Sequence, residues 1–238
     1  MEIFTATDYA GMSRQAARLV SAQLLLKPDC VLGLATGSTP LGLYSRLIEE
    51  YKNGDLDFTE VRTVNLDEYK GLAPGNPQSY GYYMRENLFR HINIKPENTF
   101  IPNGLATDAA GECARYDALL DSLGIDLQIL GLGENGHIGF NEPGEVFMPS
   151  THLVGLTKST LAANARYFAS LDDVPVYAYT MGIGSILRAK RILLIASGPK
   201  KAAALRAALY GPVTPALPAS ALQLHGYVTV IADAEAMA

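Results

Sequence analysis

Charge and cysteine are what this sequence has little of. Charged residues make up 18% of its 238 residues, under the roughly 25% of an average soluble domain. Acid outweighs base, with 19 Lys and Arg against 24 Asp and Glu for a formal charge of −5. There is no basic field to draw the chain to nucleic acid or to an anionic membrane surface, which argues against both partner classes. Cysteine occurs at Cys30 and Cys113 alone, without CxxC or Cys/His spacing. Neither a disulfide framework nor a zinc site is indicated, and two buried thiols are expected. Long apolar runs are missing too, since Gly, Pro or charge interrupts each before the roughly 20 residues that a bilayer requires. The first ten residues carry Glu2 and Asp8 where a secretory signal needs a basic start and an apolar stretch. The expectation is a cytoplasmic protein.

What is present is an apolar chain, 48% hydrophobic, whose short β-branched runs alternate with longer segments of helical period. That alternation marks βαβ units and predicts an α/β fold, a largely parallel sheet with helices on both faces. Strands are predicted at Val31–Ala35, Val61–Leu66, Asp126–Leu130, Val176–Thr180, Ile192–Ala196 and Tyr227–Ala232. Helices are predicted at Asp8–Leu26, Pro40–Asn53, Ser79–His91, Asp108–Leu123, Thr160–Ala169, Ile183–Lys190 and Pro199–Tyr210. Thr7, Thr39, Thr107 and Ser197 or Gly198 stand where N-caps belong, and Pro40 and Pro199 take early helical positions, where a missing N–H costs nothing. No fixed-period repeat and no Pro-, Ser- or charge-rich linker divides the chain, which reads as one domain over residues 1–238.

In open α/β sheets ligands lie beyond the carboxyl ends of the strands, so the loops that follow strands are where chemistry belongs. Thr36-Gly37-Ser38-Thr39-Pro40 presents backbone N–H groups and hydroxyls at a helix N-terminus, as a phosphate cradle does; a tight turn with a Thr cap would look the same. The lysine of a nucleoside-triphosphate loop is missing. Asn65-Leu66-Asp67-Glu68-Tyr69 puts two carboxylates at the sheet edge. Adjacent side chains of an extended chain point opposite ways, so one carboxylate can face the cleft while the other turns away. Desolvation would raise the pKa of a cleft-facing Asp and make it a usable general base; a solvated acidic turn is the plainer alternative.

Gly131-Leu132-Gly133-Glu134-Asn135-Gly136 formally matches GxGxxG, but Gly139, Pro143 and Gly144 forbid the helix which that fingerprint must open, and a dinucleotide site is rejected. A flexible loop presenting His137 and Glu142 remains. A carboxylate beside an imidazole orients it and tunes its charge near neutral pH. Lys158 and Arg166 bracket one predicted helix, and Lys200-Lys201 stand in the first turn of another. Cations there oppose the helix dipole, a conflict that an anionic ligand removes; ordinary surface lysines are the alternative. A phosphate clamp, a carboxylate base and a His/carboxylate pair suit proton transfer on a phosphorylated sugar.

These residues resemble the glucosamine-6-phosphate deaminase family: LATGSTP at Leu34 to Pro40, NLDEY at Asn65 to Tyr69, GLGENGHIGFNEPG at Gly131 to Gly144 and LQLH at Leu222 to His225 stand in family order over nearly the whole chain. The resemblance implies a modified Rossmann-like sheet, no cofactor and no metal. It implies conversion of glucosamine 6-phosphate and water to fructose 6-phosphate and ammonia. By the family pattern His137 opens the pyranose ring, assisted by Glu142 and Asn135, and Asp67 moves the proton from C2 to C1. Phosphate would lie on Thr36, Gly37, Ser38, Thr39, Arg166 and Lys201, with Tyr80 close to the sugar. Some members have Asp at the place of Asn135. The allosteric, hexameric members extend further at the C-terminus and place basic residues after the NEP segment, where this chain has Thr151-His152-Leu153-Val154. A monomer or small homo-oligomer with hyperbolic saturation is therefore expected.

Three alternatives share the fold. A 6-phosphogluconolactonase lacks the carboxylate that Phe140-Asn141-Glu142-Pro143 supplies. A galactosamine-6-phosphate deaminase acts on an epimer that differs at one hydroxyl. A sugar-phosphate-sensing transcription regulator needs a DNA-binding helix-turn-helix, and the roughly 30 residues before the first core strand are too few for it.

Overall fold

The computed structural model describes residues 1–157, 160–162, 168, 170 and 173–238. Seven strands form a wholly parallel sheet: β1 (Glu2–Ala6), β2 (Val31–Leu34), β3 (Arg62–Asn65), β5 (Thr99–Phe100), β6 (Leu127–Leu130), β9 (Ile192–Ala196) and β10 (Val228–Asp233), in the order β1-β10-β9-β6-β2-β3-β5. Every residue of β2, β6 and β9 is buried. Their runs, apolar apart from Gln128 in β6, are what a sheet covered on both faces demands.

Helices α1 (Tyr9–Leu26), α2 (Leu41–Lys52), α3 (Tyr80–Asn87), α4 (Ala109–Leu123), α5 (Ile183–Leu187) and α6 (Ala202–Tyr210) supply the cover. The predicted α/β fold with its largely parallel sheet is the observed one. The predicted helix Thr160–Ala169 lies mostly outside the described residues, with Thr160 to Ala162 helical.

Local corrections have local causes. Asp8 and Asp108, rather than Thr7 and Thr107, cap α1 and α4, their carboxylates accepting the N–H of Gly11 at 2.7 Å and of Gly111 at 3.0 Å. An ionised acceptor at a helix N-terminus gains from the dipole as well as the bond, so the aspartate one residue on wins. No side chain caps α2, whose flanking residue is Pro40. The Ser197 hydroxyl donates to Asp233 rather than capping a helix, and the chain passes through one 3-10 turn, Pro199–Lys201, before α6 begins. Cys30 is buried as expected, but Cys113 is only partly so.

A second sheet was not anticipated. Strands β4 (Asp67–Tyr69), β8 (Tyr177–Thr180) and β7 (His152–Gly155) pair antiparallel in the order β4-β8-β7. The predicted strand Val176–Thr180 thus belongs to this small sheet, with Asp67 opposite Thr180. The chain leaves β3 at Asn65, spends Leu66 on the turn and re-enters extended structure at Asp67 in a different sheet. Met181 N–H donates to Leu66 O at 2.8 Å and stitches the two sheets at that point.

Candidate active site

Where the sheets meet lies a cleft of about 730 Å³. Thr36 to Thr39 after β2, Leu66 and Asp67 after β3, Gly131 to Asn135 and His137 after β6, and Lys200 and Lys201 after β9 all border it. Each group comes from a strand's carboxyl end, as the parallel topology requires.

Asp67 and Glu68 split as strand alternation predicts. Glu68 turns away and accepts the N–H groups of Tyr69, Tyr80 and Gly81 at 2.8, 2.9 and 3.0 Å, binding β4 to the first turn of α3. Asp67 borders the cleft at 6% exposure. Among the described residues no group donates a hydrogen bond to it. Burial, with the Glu68 charge adding, pushes its carboxyl up to about 8. Burial raises Glu68 too, against the pull of its three N–H donors. The difference between the neighbours is solvation lost without replacement against solvation replaced by partners.

The loop after β6 carries the second group. Nδ1 of His137 lies 3.5 Å from Oε2 of Glu142, and among the described residues it has no hydrogen-bond partner. Asn135 fastens this pair: its Nδ2 donates to Glu142 Oε2 at 2.7 Å, while its Oδ1 accepts the His137 N–H at 3.2 Å. Asn135 thus orients the loop without a charge of its own. The other carboxylate oxygen of Glu142 accepts the hydroxyls of Thr157, at 3.2 Å, and Thr160. Burial would raise the Glu142 carboxyl, but contacts with His137, Thr160 and Asn135 outweigh it and hold it at about 2. Gly133 makes room for the imidazole; a Cβ on it would come within 2.5 Å of the His137 ring.

Two tyrosines shape the proposed phosphate cradle. The hydroxyl of Tyr83 donates to Gly37 O at 2.6 Å and that of Tyr9 to Ser38 O at 3.1 Å, so the turn's carbonyls are engaged from outside the cleft lining. Gly37 has φ +96°, a left-handed value that glycine adopts without strain. Tyr80 borders the cleft with its ring stacked on Phe140, centroids 6.0 Å apart.

The structure brings together Thr36, Gly37, Ser38, Thr39, Asp67, Tyr80, Asn135, His137 and Lys201 around one cleft, with Glu142 behind His137. Arg166 lies outside the described residues. Lys200, singled out with Lys201 as a cation for an anionic ligand, also borders the cleft, while sequence reasoning missed Glu134 and Phe140 in the lining and the two threonines on Glu142. A signal for the threonines existed: Thr157 accepts the Thr160 N–H at 3.3 Å, a hydroxyl cap readable in the spacing Thr157-x-x-Thr160. The LQLH segment sits in the 3-10 run Pro218–Leu224 and its flank, away from the cleft lining. Gln223 there donates to Ala208 O and Gly211 O at 2.9 and 3.0 Å, and Ala219 N–H donates to Gly136 O at 2.9 Å. That run braces the histidine loop.

Similarity to known proteins covers almost the entire chain. Proteins named glucosamine-6-phosphate deaminase from Lachnoclostridium phytofermentans and Clostridioides difficile are 60% and 54% identical, over 97% and 98% of this chain and 98% and 94% of theirs. A solved monomeric glucosamine-6-phosphate deaminase is 52% identical and superposes with a TM-score of 0.97 over 99% of this chain and 98% of that one. The 6-phosphogluconolactonase of Leishmania guyanensis, at 20% identity and a TM-score of 0.77 over 99% of this chain and 97% of its own, shares the fold alone. A family model described as glucosamine-6-phosphate isomerases/6-phosphogluconolactonase matches residues 8–231; with that match, the chain belongs to the glucosamine-6-phosphate isomerase and 6-phosphogluconolactonase family.

Proposed function

We propose that this chain converts glucosamine 6-phosphate and water to fructose 6-phosphate and ammonia. The observation that carries the reading is Asp67: a desolvated carboxylate without donors among the described residues, sharing a cleft with a His137–Glu142 pair and a turn suited to phosphate. Relatives bearing the deaminase name at 54–60% identity support the same reaction.

Phosphate sits against Thr36 to Thr39 and the ammonium of Lys201, with Arg166 as the second cation. With a formal charge of −5 on the chain, attraction for a dianion must be local. The sugar's C1–C2 end then reaches His137 and Asp67. His137, held by Glu142, passes a proton from the C1 hydroxyl to the ring oxygen and frees the aldehyde. Opening must come first, because the C2 hydrogen is acidic only beside an open-chain carbonyl. Asp67 takes that hydrogen as a proton and returns it at C1, leaving an imine at C2 that water hydrolyses to the ketose and ammonia. Tyr80 flanks the sugar, and Asn135 orients the dyad rather than relaying a proton.

The enzyme acts in the cytoplasm as a monomer or small oligomer. Among the described residues no helix is long and apolar enough to cross a membrane, and the monomeric relative favours the low oligomeric state. The deciding measurement is coupled detection of ammonia and fructose 6-phosphate from glucosamine 6-phosphate, galactosamine 6-phosphate and 6-phosphogluconolactone. Equal turnover of the galactosamine epimer, or hydrolysis of the lactone alone, overturns the assignment.

A further inference from the structure

A second cavity, of about 430 Å³, shares a wall with the cleft. Leu66 and Tyr80 line the cleft, whereas their chain neighbours Asn65 and Gly81 line this cavity. Its floor is apolar, built from Met84, Phe89, Ile94, Phe100 and Ile101. Four polar side chains join it, of which Thr99 spends its hydroxyl on Pro96 O at 2.7 Å. Asn65, 2% exposed, has an Nδ2 with no hydrogen-bond partner among the described residues. Arg85 and Arg90 are half exposed and both pair with Glu86, the one carboxylate that meets either of them among the described residues. Two guanidiniums on one carboxylate leave a positive charge uncompensated, and a buried amide N–H without an acceptor is a cost that native structures rarely carry unexplained.

We propose that this cavity is a ligand site for a small organic carboxylate with an apolar body, such as an arylalkanoate or branched fatty acid. Size and lining suit it: pockets of roughly 300–1,000 Å³ with apolar walls and a few placed polar groups are what small molecules occupy. The guanidinium fork of Arg85 or Arg90 takes the carboxylate, which selects a planar anion over a neutral analogue. The Asn65 amide gains the acceptor it lacks. Occupancy braces both sides of the shared wall, Asn65 two residues before Asp67 and Gly81 one after Tyr80, so the ligand changes substrate affinity without touching the substrate. By linkage, substrate in the cleft changes the ligand's affinity by the same factor.

The probe is 3-phenylpropionate, with 3-phenylpropanamide as its neutral counterpart, titrated by calorimetry into the enzyme alone and the enzyme saturated with fructose 6-phosphate. The carboxylate is expected to bind in both cases with affinities differing at least twofold, and the amide at least tenfold more weakly. Arg85→Gln with Arg90→Gln should lower the affinity about tenfold, the worth of one charge-assisted hydrogen bond. Ile101→Trp, which fills the cavity from a half-buried position, should abolish binding. Turnover without probe should stay unchanged in the arginine variant. Binding that fructose 6-phosphate abolishes, that ignores both variants, or that does not occur with any aryl or branched carboxylate overturns the site. A KM for glucosamine 6-phosphate unmoved by saturating probe overturns the coupling. The fructose 6-phosphate and KM arms rest on the deaminase reading; calorimetry on the enzyme alone and on the arginine and Ile101 variants decides the site even if ammonia is never released.

Discussion

The imidazole Nδ1 of His137 stands 3.5 Å from Glu142 Oε2, within ion-pair range but beyond a hydrogen bond made in full. Everything else around Glu142 is closed, since Asn135, Thr157 and Thr160 all donate to its oxygens. The carboxylate is therefore held ionised and immobile while the imidazole keeps freedom to approach it, as catalytic contacts do when they tighten on substrate binding.

His137→Gln should cut kcat/KM on glucosamine 6-phosphate by about 10²-fold, the usual worth of a positioned proton carrier. On an open-chain analogue that needs no ring opening the loss should be markedly smaller. Stopped-flow assays on both substrates make the comparison, and equal losses would place His137 in another step.

Asp67→Asn should leave the fold intact and lower kcat by roughly 10²-fold or more. It should also change stability in a pH-dependent way. Folding raises the Asp67 carboxyl from 3.8 to about 8, so between those values the folded chain holds a proton that the unfolded chain has released. The stabilisation is complete below the lower value and is lost as pH rises toward the upper, by up to about 1.4 kcal/mol per unit. Asparagine escapes that loss. The Tm of the variant, measured by calorimetry, should gain on wild type steadily from pH 5 to pH 8.

For the active wild type, kcat/KM should rise with pH toward about 8 as Asp67 ionises. The aminium of bound substrate favours the ionised base, so the inflection in kcat should fall at lower pH than that in kcat/KM. Coincident inflections, or profiles unchanged in Asp67→Glu, would assign the titration to another group.

Gly133→Ala places a methyl group where the His137 ring lies. The ring must turn aside, and a misplacement near 1 Å costs about 10²-fold in rate. Circular dichroism should be unchanged while kcat collapses; full activity would show that the loop absorbs the methyl.

Lys201→Ala should raise KM for the phosphorylated sugar roughly 10- to 100-fold, as loss of a charge-assisted contact predicts. Residual action on free glucosamine should be untouched. A parallel loss on both would remove Lys201 from phosphate binding.

Much of this site was legible because its parts are local. A short buried strand, a glycine-bearing turn and a helix start can be read from adjacent residues, so Thr36 to Thr39, Asp67 and the His137 loop could be placed at strand ends before any coordinates. Strand alternation allowed Asp67 and Glu68 to face opposite ways, beside a solvated acidic turn as the alternative, and the pairing of β4 with β8 decided it. Helix caps were displaced by one residue because threonine and aspartate stand side by side at Thr7-Asp8 and Thr107-Asp108, and only the backbone decides which one flanks the first turn.

What the chain pairs with across long separations was not legible. Strand β1 is mostly exposed and unremarkable in composition, and exists through its register with β10. The β4-β8-β7 sheet joins Asp67 to Thr180 and Thr180 to His152; no local pattern announces it, since pairing energy there comes from partners and not from propensity. Tertiary structure also decided how dry Asp67 would be, since the shift in its pKa depends on what closes over the carboxylate. A sequence names a carboxyl group at a strand end; only the packing around it removes the water and withholds the donors that would otherwise keep it an ordinary acid.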